Sequence, residues 1–148
     1  MMCSIIGYLG LTTAATELVD GLKRMEYRGY DSAGIATCSN HHLLVRKGVG
    51  RVSDVNQNVS LDSLSGTIGI GHTRWATHGS VCDTNAHPHP SNSGKIAIVH
   101  NGIIDNYLEI KSNLELRGYV FKSQTDSEVI VNLLQFYFDE THDIKKSL

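Results

Sequence analysis

Cysteine is scarce in this chain, and what there is has no obvious pairing. Cys3, Cys38 and Cys82 are odd in number and widely spaced, unlike a disulfide framework, which points to a reducing compartment. Proline is scarcer still: Pro88 and Pro90 are the only two, and they fall in one stretch. Positive charge has no excess. Thirteen Lys and Arg stand against fifteen Asp and Glu, for a formal net charge of −2, so neither a nucleic-acid footprint nor a polybasic membrane patch is expected. No apolar run approaches the roughly 20 residues of a transmembrane helix. A charged segment leading into a hydrophobic one is missing at the N-terminus, so a secretory signal is not expected either. The expectation is a soluble, cytoplasmic protein without repeats, low-complexity tracts or linkers.

What is present is ordinary globular composition: 148 residues, 41% hydrophobic and 19% charged, enough for one domain with a real core. Residues 3–9 read as a buried strand. Thr12 or Thr13 is placed to cap a helix with Leu18, Leu22 and Met25 on one face. Strands over 35–38 and 43–47 are expected to form a hairpin across the polar turn 39–42, followed by a weak helix over Val52–Val59. Residues 67–73 and 96–100 read as two more strands. Between them lies a stretch of roughly 20 residues holding both prolines, long enough to suggest a functional loop. Asn106 with Glu109, and Thr125 with Glu128, resemble capping boxes. The first would open a helix closed by Gly118. The second would open a helix with Val129, Ile130, Leu133, Leu134 and Tyr137 on its apolar side, after a short strand over 119–121. This mixture predicts an α+β fold. The pattern stops with too few strands to close a two-sheet core, so the chain reads as a fragment.

Five segments carry residues suited to chemistry. A cysteine near the chain start, once exposed as the N-terminal residue, has an α-amine that titrates near ~8 beside a thiol near ~8.5, so the amine can act as its base. A buried, inert Cys3 is the alternative. In HTRWATHG (72–79), Arg74 at a strand end suits bidentate capture of a carboxylate, or simply pairs with an aspartate. In NAHPHP (85–90), with His78 and Cys82, a zinc site deserves weighing. The spacing H-x3-C-x4-H-x-H matches neither a Cys knuckle nor a helical His pair, and histidines beside prolines more simply shape an extended loop. In HNGI (100–103), the Asn101 amide beside the Gly102 N–H forms a workable oxyanion hole, and Asn-Gly is also a turn signal. In SQTDSE (123–128), Asp126 either pairs with a substrate ammonium or merely complements a helix N-terminus.

In this order and spacing, with YRGYDSAG (27–34), the segments resemble the glutaminase domain of the glutamine–fructose-6-phosphate aminotransferase family. YRGYDSAG, HTRWATHG and NAHPH separate that family from other N-terminal-cysteine amidotransferases. The resemblance covers essentially the whole chain. It implies a four-layer αββα sandwich of the N-terminal-nucleophile hydrolase type, C-terminally incomplete and lacking the family's sugar-isomerase domains. It also implies that Cys3 forms a γ-glutamyl thioester and releases ammonia. Asn101 and Gly102 would hold the oxyanion, Arg74 the α-carboxylate with Thr77 and His78 beside it, and Asp126 the α-ammonium. Arg28 would support the nucleophile and Trp75 would gate ammonia. Neither cofactor nor metal is implied. The partners would be glutamine and, only through the missing domains, fructose 6-phosphate, in a family that is homo-oligomeric at full length. A non-catalytic remnant that keeps the fold and binds glutamine is the second reading. This chain departs from the family in beginning Met-Met-Cys-Ser rather than Met-Cys-Gly, and in carrying Gln124 where a glutamate is usual; the latter is expected to matter little.

Overall fold

The computed structural model describes residues 2–76 and 79–147. Its centre is a four-stranded antiparallel sheet in the order β1-β4-β2-β3, built from β1 (Ser4–Leu9), β2 (Ser32–Ser39), β3 (His42–Val49) and β4 (Ile68–Arg74). The β2–β3 hairpin expected from sequence is longer than 35–47. It closes on Asn40 and His41, both at positive φ of 49° and 63°, the geometry of a tight turn whose twist matches that of the strands.

One face of this sheet is covered by helices α1 (Ala14–Met25) and α2 (Val52–Val59). Leu18, Leu22, Ile35, Val52, Val55 and Leu61 meet there in a core excluded from solvent. Thr13 occupies the N-cap of α1, but its side chain makes no capping bond. The Gly66 carbonyl accepts the Ala14 N–H instead. Close approach of α1 depends on Gly71, where an added Cβ would fall 3.1 Å from both Leu22 and Ile6.

Strand residues alternate between faces. With Gly71 facing the helices, His72 and Arg74 face the other way, and so does Gly34, the partner of His72 in the ladder. On that second face lie residues 79–90, the two-stranded ribbon of β5 (His89–Pro90) and β6 (Ala97–Ile98), then α3 (Tyr107–Glu115), α4 (Glu128–Thr141) and the short α5 (Ile144–Ser147). A Cβ on Gly34 would sit 2.3 Å from the His87 carbonyl, so glycine lets the loop lie flat on the sheet. Lys47 of β3 then clamps the loop by donating to the carbonyls of Thr84, Ala86 and Pro88. Burial lowers its ammonium pKa to about 8, with Glu128 opposing the shift. The layers run helix, sheet, sheet, helix, with two strands in the second sheet among the described residues.

Several sequence expectations are corrected. The strand over 96–100 is only Ala97–Ile98. Residues 119–121 form no strand: Val120 gives its N–H to, and takes a bond on its carbonyl from, the Asn92 carboxamide, a side chain that stands in for a neighbouring backbone. Asn106 makes no capping bond. At α4 the N-cap is Ser127 rather than Thr125, and the Glu128 carboxylate accepts the N–H groups of Lys122 and Ser123 and the Ser123 hydroxyl.

Candidate active site

At the C-terminal end of β4 the sheet opens onto a cavity of about 340 Å³. Seven residues singled out from sequence line it: Cys3, Arg28, Arg74, Trp75, Asn101, Gly102 and Asp126. Thr77 and His78 lie outside the described residues. The convergence follows from register. Ser4 pairs with Thr73, so Cys3 enters beside the end of β4, where Arg74 and Trp75 leave it.

The Cys3 thiol is bracketed by the backbone N–H and carbonyl of Trp75, which belong to two successive peptide units. The Trp75 N–H donates to Sγ at 3.1 Å, and Sγ is 3.5 Å from the Trp75 carbonyl. Both peptides are held in turn by Asp31, whose N–H donates to the Arg74 carbonyl at 2.7 Å and whose carboxylate accepts the N–H of Ala76 and the hydroxyl of Ser32. Trp75 itself is 39% exposed at the mouth. The Arg28 side chain is exposed, and the Arg28 carbonyl accepts the N–H of Met2 at 3.0 Å. Met2 is therefore seated at the cavity as its first described residue.

Across from the sulfur, the Asn101 Nδ2 donates to the Cys3 carbonyl at 3.3 Å, and its Oδ1 lies 2.8 Å from His72 Nε2. Next to it, a Cβ on Gly102 would come within 2.7 Å of His100 Nε2. The glycine thus admits the imidazole while leaving its own N–H unobstructed by a side chain. His100 Nδ1 is 3.0 Å from the Ser127 hydroxyl.

Two opposite charges complete the wall, and both are deeply buried: Arg74 is 4% and Asp126 5% exposed. Arg74 donates to the Ser80 carbonyl at 3.3 Å. Asp126 accepts the Ile104 N–H at 2.8 Å, which leaves further acceptor capacity on its carboxylate. Behind Arg74, Gln124 Oε1 accepts from the Ser80 N–H, the Ser80 hydroxyl and Asn85 Nδ2. Every one of these bonds uses an acceptor oxygen that glutamate would also supply.

A column of three buried imidazoles runs from the cavity wall, which His72 and His87 line, to His89. His72 stacks on His87 with centroids 4.3 Å apart, and His87 meets His89 edge-on at 4.4 Å. Burial lowers the pKa of His72 to about 4 and of His89 to about 3, and lowers that of His87 further, helped by its imidazole neighbours. All three are neutral near pH 7. Since the unfolded chain protonates them near ~6.5, their contribution to stability is complete above that pH. It is lost as pH falls toward 4, at up to about 1.4 kcal/mol per histidine per pH unit. The urea midpoint is therefore expected to drop steeply between pH 6.5 and 4.5, and a flat profile there would contradict neutral burial.

Of the residues weighed from sequence for zinc, His78 lies outside the described residues and His87 and His89 belong to this column; among the described residues no group of three or more His, Cys, Asp and Glu is arranged to hold a metal. Cys82 Sγ instead neighbours the hydroxyls of Thr84 and Ser80. Residues to which sequence reasoning assigned no role also shape the site, chiefly Asp31, His72, His100 and Ser127, as does His87, weighed from sequence only as a zinc ligand. The signal for His72 was available, since a residue two before Arg74 on one strand shares its face. The others depend on contacts made between distant segments.

Comparison with known proteins bears on the family and the fold. A family model described as a glutamine amidotransferase domain matches residues 49–143. The chain is 55% identical over 134 residues to the glutamine–fructose-6-phosphate aminotransferase [isomerizing] of Pyrococcus horikoshii, covering 90% of this chain and 22% of that protein. Its identity to the enzyme of the same name from Bacteroides thetaiotaomicron is 55% over 136 residues, or 91% of this chain and 22% of the relative. The chain thus spans about a fifth of the length of the curated relatives it matches. Among solved structures, the glutamine phosphoribosylpyrophosphate amidotransferase of B. subtilis in complex with ADP and GMP superposes with a TM-score of 0.74 at 32% identity, over 88% of this chain and 29% of that one. A structure titled as the allosteric regulatory enzyme of purine biosynthesis gives a TM-score of 0.76, also at 32% identity, with 88% of this chain and 29% of that one covered. The architecture is accordingly that of an α+β, N-terminal-nucleophile hydrolase. No helix among the described residues is long and apolar enough to cross a membrane.

Proposed function

Because the chain belongs to the glutamine amidotransferase domain family, we propose that it hydrolyses glutamine to glutamate and ammonia through a thioester on Cys3. The observation that carries this reading is a single cavity lined by a thiol, an amide donor beside a glycine N–H, and a buried arginine and aspartate. Those last two charges match the α-carboxylate and α-ammonium of a free amino acid, which selects it over a peptide-linked glutamine.

In the proposed sequence the Cys3 sulfur adds to the glutamine carboxamide carbon as its proton passes to the base. The carbonyl oxygen becomes an oxyanion, stabilised by Asn101 Nδ2 and the Gly102 N–H; preorganised donors of this kind contribute roughly 10²–10³ in rate each. Collapse breaks the C–N bond, and the proton returns to the leaving ammonia. Water then cleaves the γ-glutamyl thioester to glutamate and the free thiol. Arg74 and Asp126 grip the amino-acid end, assisted by Thr77 and His78; Arg28 supports the nucleophile and Trp75 gates the mouth. The base is the Cys3 α-amine. That amine exists only when the Met2–Cys3 peptide bond has been cleaved.

Retained methionine favours the second reading, a non-catalytic chain that keeps the fold and binds glutamine. The specific observation is that Met2 is held by the Arg28 carbonyl and lines the cavity. The proposed acceptor of the ammonia is fructose 6-phosphate, the sugar in the relatives' name; the proposal further places the reaction in a cytoplasmic homo-oligomer, with the acceptor bound by isomerase domains rather than by this segment. Ammonia release is the whole of the chemistry proposed for this segment.

The test is intact-mass measurement followed by reaction with a diazo-oxo-norleucine electrophile and peptide mapping. The expected result is a mature chain beginning at Cys3, labelled there and nowhere else. Label confined to Cys38 or Cys82, or no label on a chain that begins at Cys3, would overturn the catalytic reading. A chain that still carries methionine ahead of Cys3 and takes no label would support the binding-only reading.

A further inference from the structure

We infer that His72 is a positioning residue for the oxyanion hole: its Nε2–H locks the Asn101 carboxamide with Nδ2 turned toward Cys3. This rests on the proposed thioester chemistry and extends it to a residue that acts through Asn101.

The argument is one of hydrogen-bond direction. A carboxamide offers one acceptor and one donor end, and a half-turn about its terminal torsion exchanges them. Asn101 Nδ2 donates to the Cys3 carbonyl at 3.3 Å. Its Oδ1 is therefore the end at 2.8 Å from His72 Nε2, and an oxygen acceptor requires that Nε2 carry the hydrogen. A neutral ring with hydrogen on Nε2 has a bare Nδ1, and no contact of His72 Nδ1 meets hydrogen-bond geometry, although the His100 backbone is close enough to the ring to oppose part of the burial effect. The opposite tautomer would set two lone pairs against each other at Asn101 and drive the carboxamide to flip. Flipping would turn Oδ1 toward the developing oxyanion, replacing attraction with repulsion.

The ring cannot swing to escape this duty. His72 is 1% exposed and lies parallel to His87 within 21°. His87 in turn receives the His100 backbone N–H on Nδ1 at 3.4 Å. The two stacked rings thus hold adjacent residues, one by its backbone and the other by its side chain. Desolvation keeps the His72 ring neutral across the physiological range, so its tautomer is not disturbed by ordinary changes in pH.

His72→Phe preserves ring volume and stacking but removes the donor. His72→Gln places an amide N–H near the former Nε2. With the chain processed to begin at Cys3, His72→Phe is expected to lower glutaminase kcat about ten- to a hundredfold, with glutamine KM within about threefold because Arg74 and Asp126 are untouched. His72→Gln should recover most of the loss. In an Asn101→Ala background, His72→Phe should cost nothing more, because the two act as one unit. A fully additive loss, or a loss that His72→Gln does not restore, would overturn the inference and mark His72 as structural. Ring-nitrogen NMR of the unsubstituted chain gives a readout independent of turnover. Hydrogen on Nε2, with Nδ1 bare, is expected; hydrogen on Nδ1 would overturn the inference. Failure of the thioester reading looks different, as absent Cys3 labelling with the His72 tautomer intact.

Discussion

Cys3→Ala is expected to reduce glutamine hydrolysis by about 10⁴-fold or more, the scale on which losing a covalent nucleophile is felt. Cys3 is the cysteine among the residues lining the cavity, and the Trp75 N–H is aimed at its sulfur, so no neighbouring thiol stands ready to substitute. The side chain is small and only partly buried. Its removal should leave thermal unfolding within a few degrees of the parent, separating lost chemistry from lost fold. Cys38 is exposed on β2, and Cys38→Ala serves as the control with activity unchanged. Steady-state ammonia release by the three proteins decides the matter. Residual Cys3→Ala turnover above about one per cent, on the scale of that expected loss, would require a different nucleophile.

Arg74→Ala is expected to raise the glutamine KM about 10²- to 10³-fold, with a much smaller change in kcat. The physical reason is burial. A charge-assisted bond made at a site 4% exposed to solvent is poorly replaced by water, and truncating one partner of such a pair costs about 2–5 kcal/mol. Arg74→Lys should fall between the parent and the alanine variant, since it keeps the charge but loses the planar fork that matches a carboxylate. Lys95 is exposed on the loop between β5 and β6, and Lys95→Ala should leave KM unchanged. Equal KM effects for Arg74→Ala and Lys95→Ala would refute the carboxylate-binding role.

These two residues differ in how they could be found. Cys3 was visible from its place in the chain and from the chemistry an N-terminal thiol permits. Arg74 was visible as a strand-end arginine leading into a long loop, but its burial and its sharing of a wall with Asp126, fifty-two positions later, are consequences of folding. Asp126 looked like a helix-terminal carboxylate, and locally it is one; only the packing of α4 behind the ribbon turns it into the cavity. The capping box expected at Thr125 failed for the same reason. Glu128 found better partners in the backbone of Lys122 and Ser123, and Thr125 was drawn to His89.

Strand and helix types were legible wherever apolar periodicity was strong. The β2–β3 hairpin, α1, α2 and α4 follow from alternation and from i, i+4 spacing, because those patterns bury one face whatever the neighbours do. Short segments were not. Residues 96–100 contribute only two ladder positions, and 119–121 none, because strand pairing needs a partner backbone, and at Val120 the partner is the Asn92 side chain.

By itself the sequence determined the α+β class, the chemical inventory and the family. Residue types and spacings are local properties, and five ordered segments suffice to specify them. Tertiary structure alone decided which way the Asn101 amide faces, that the backbone of Trp75 brackets the Cys3 sulfur, and that three histidines stack neutral beside them. Each of those depends on hydrogen-bond direction and exclusion of water between segments distant in the chain, which no spacing encodes.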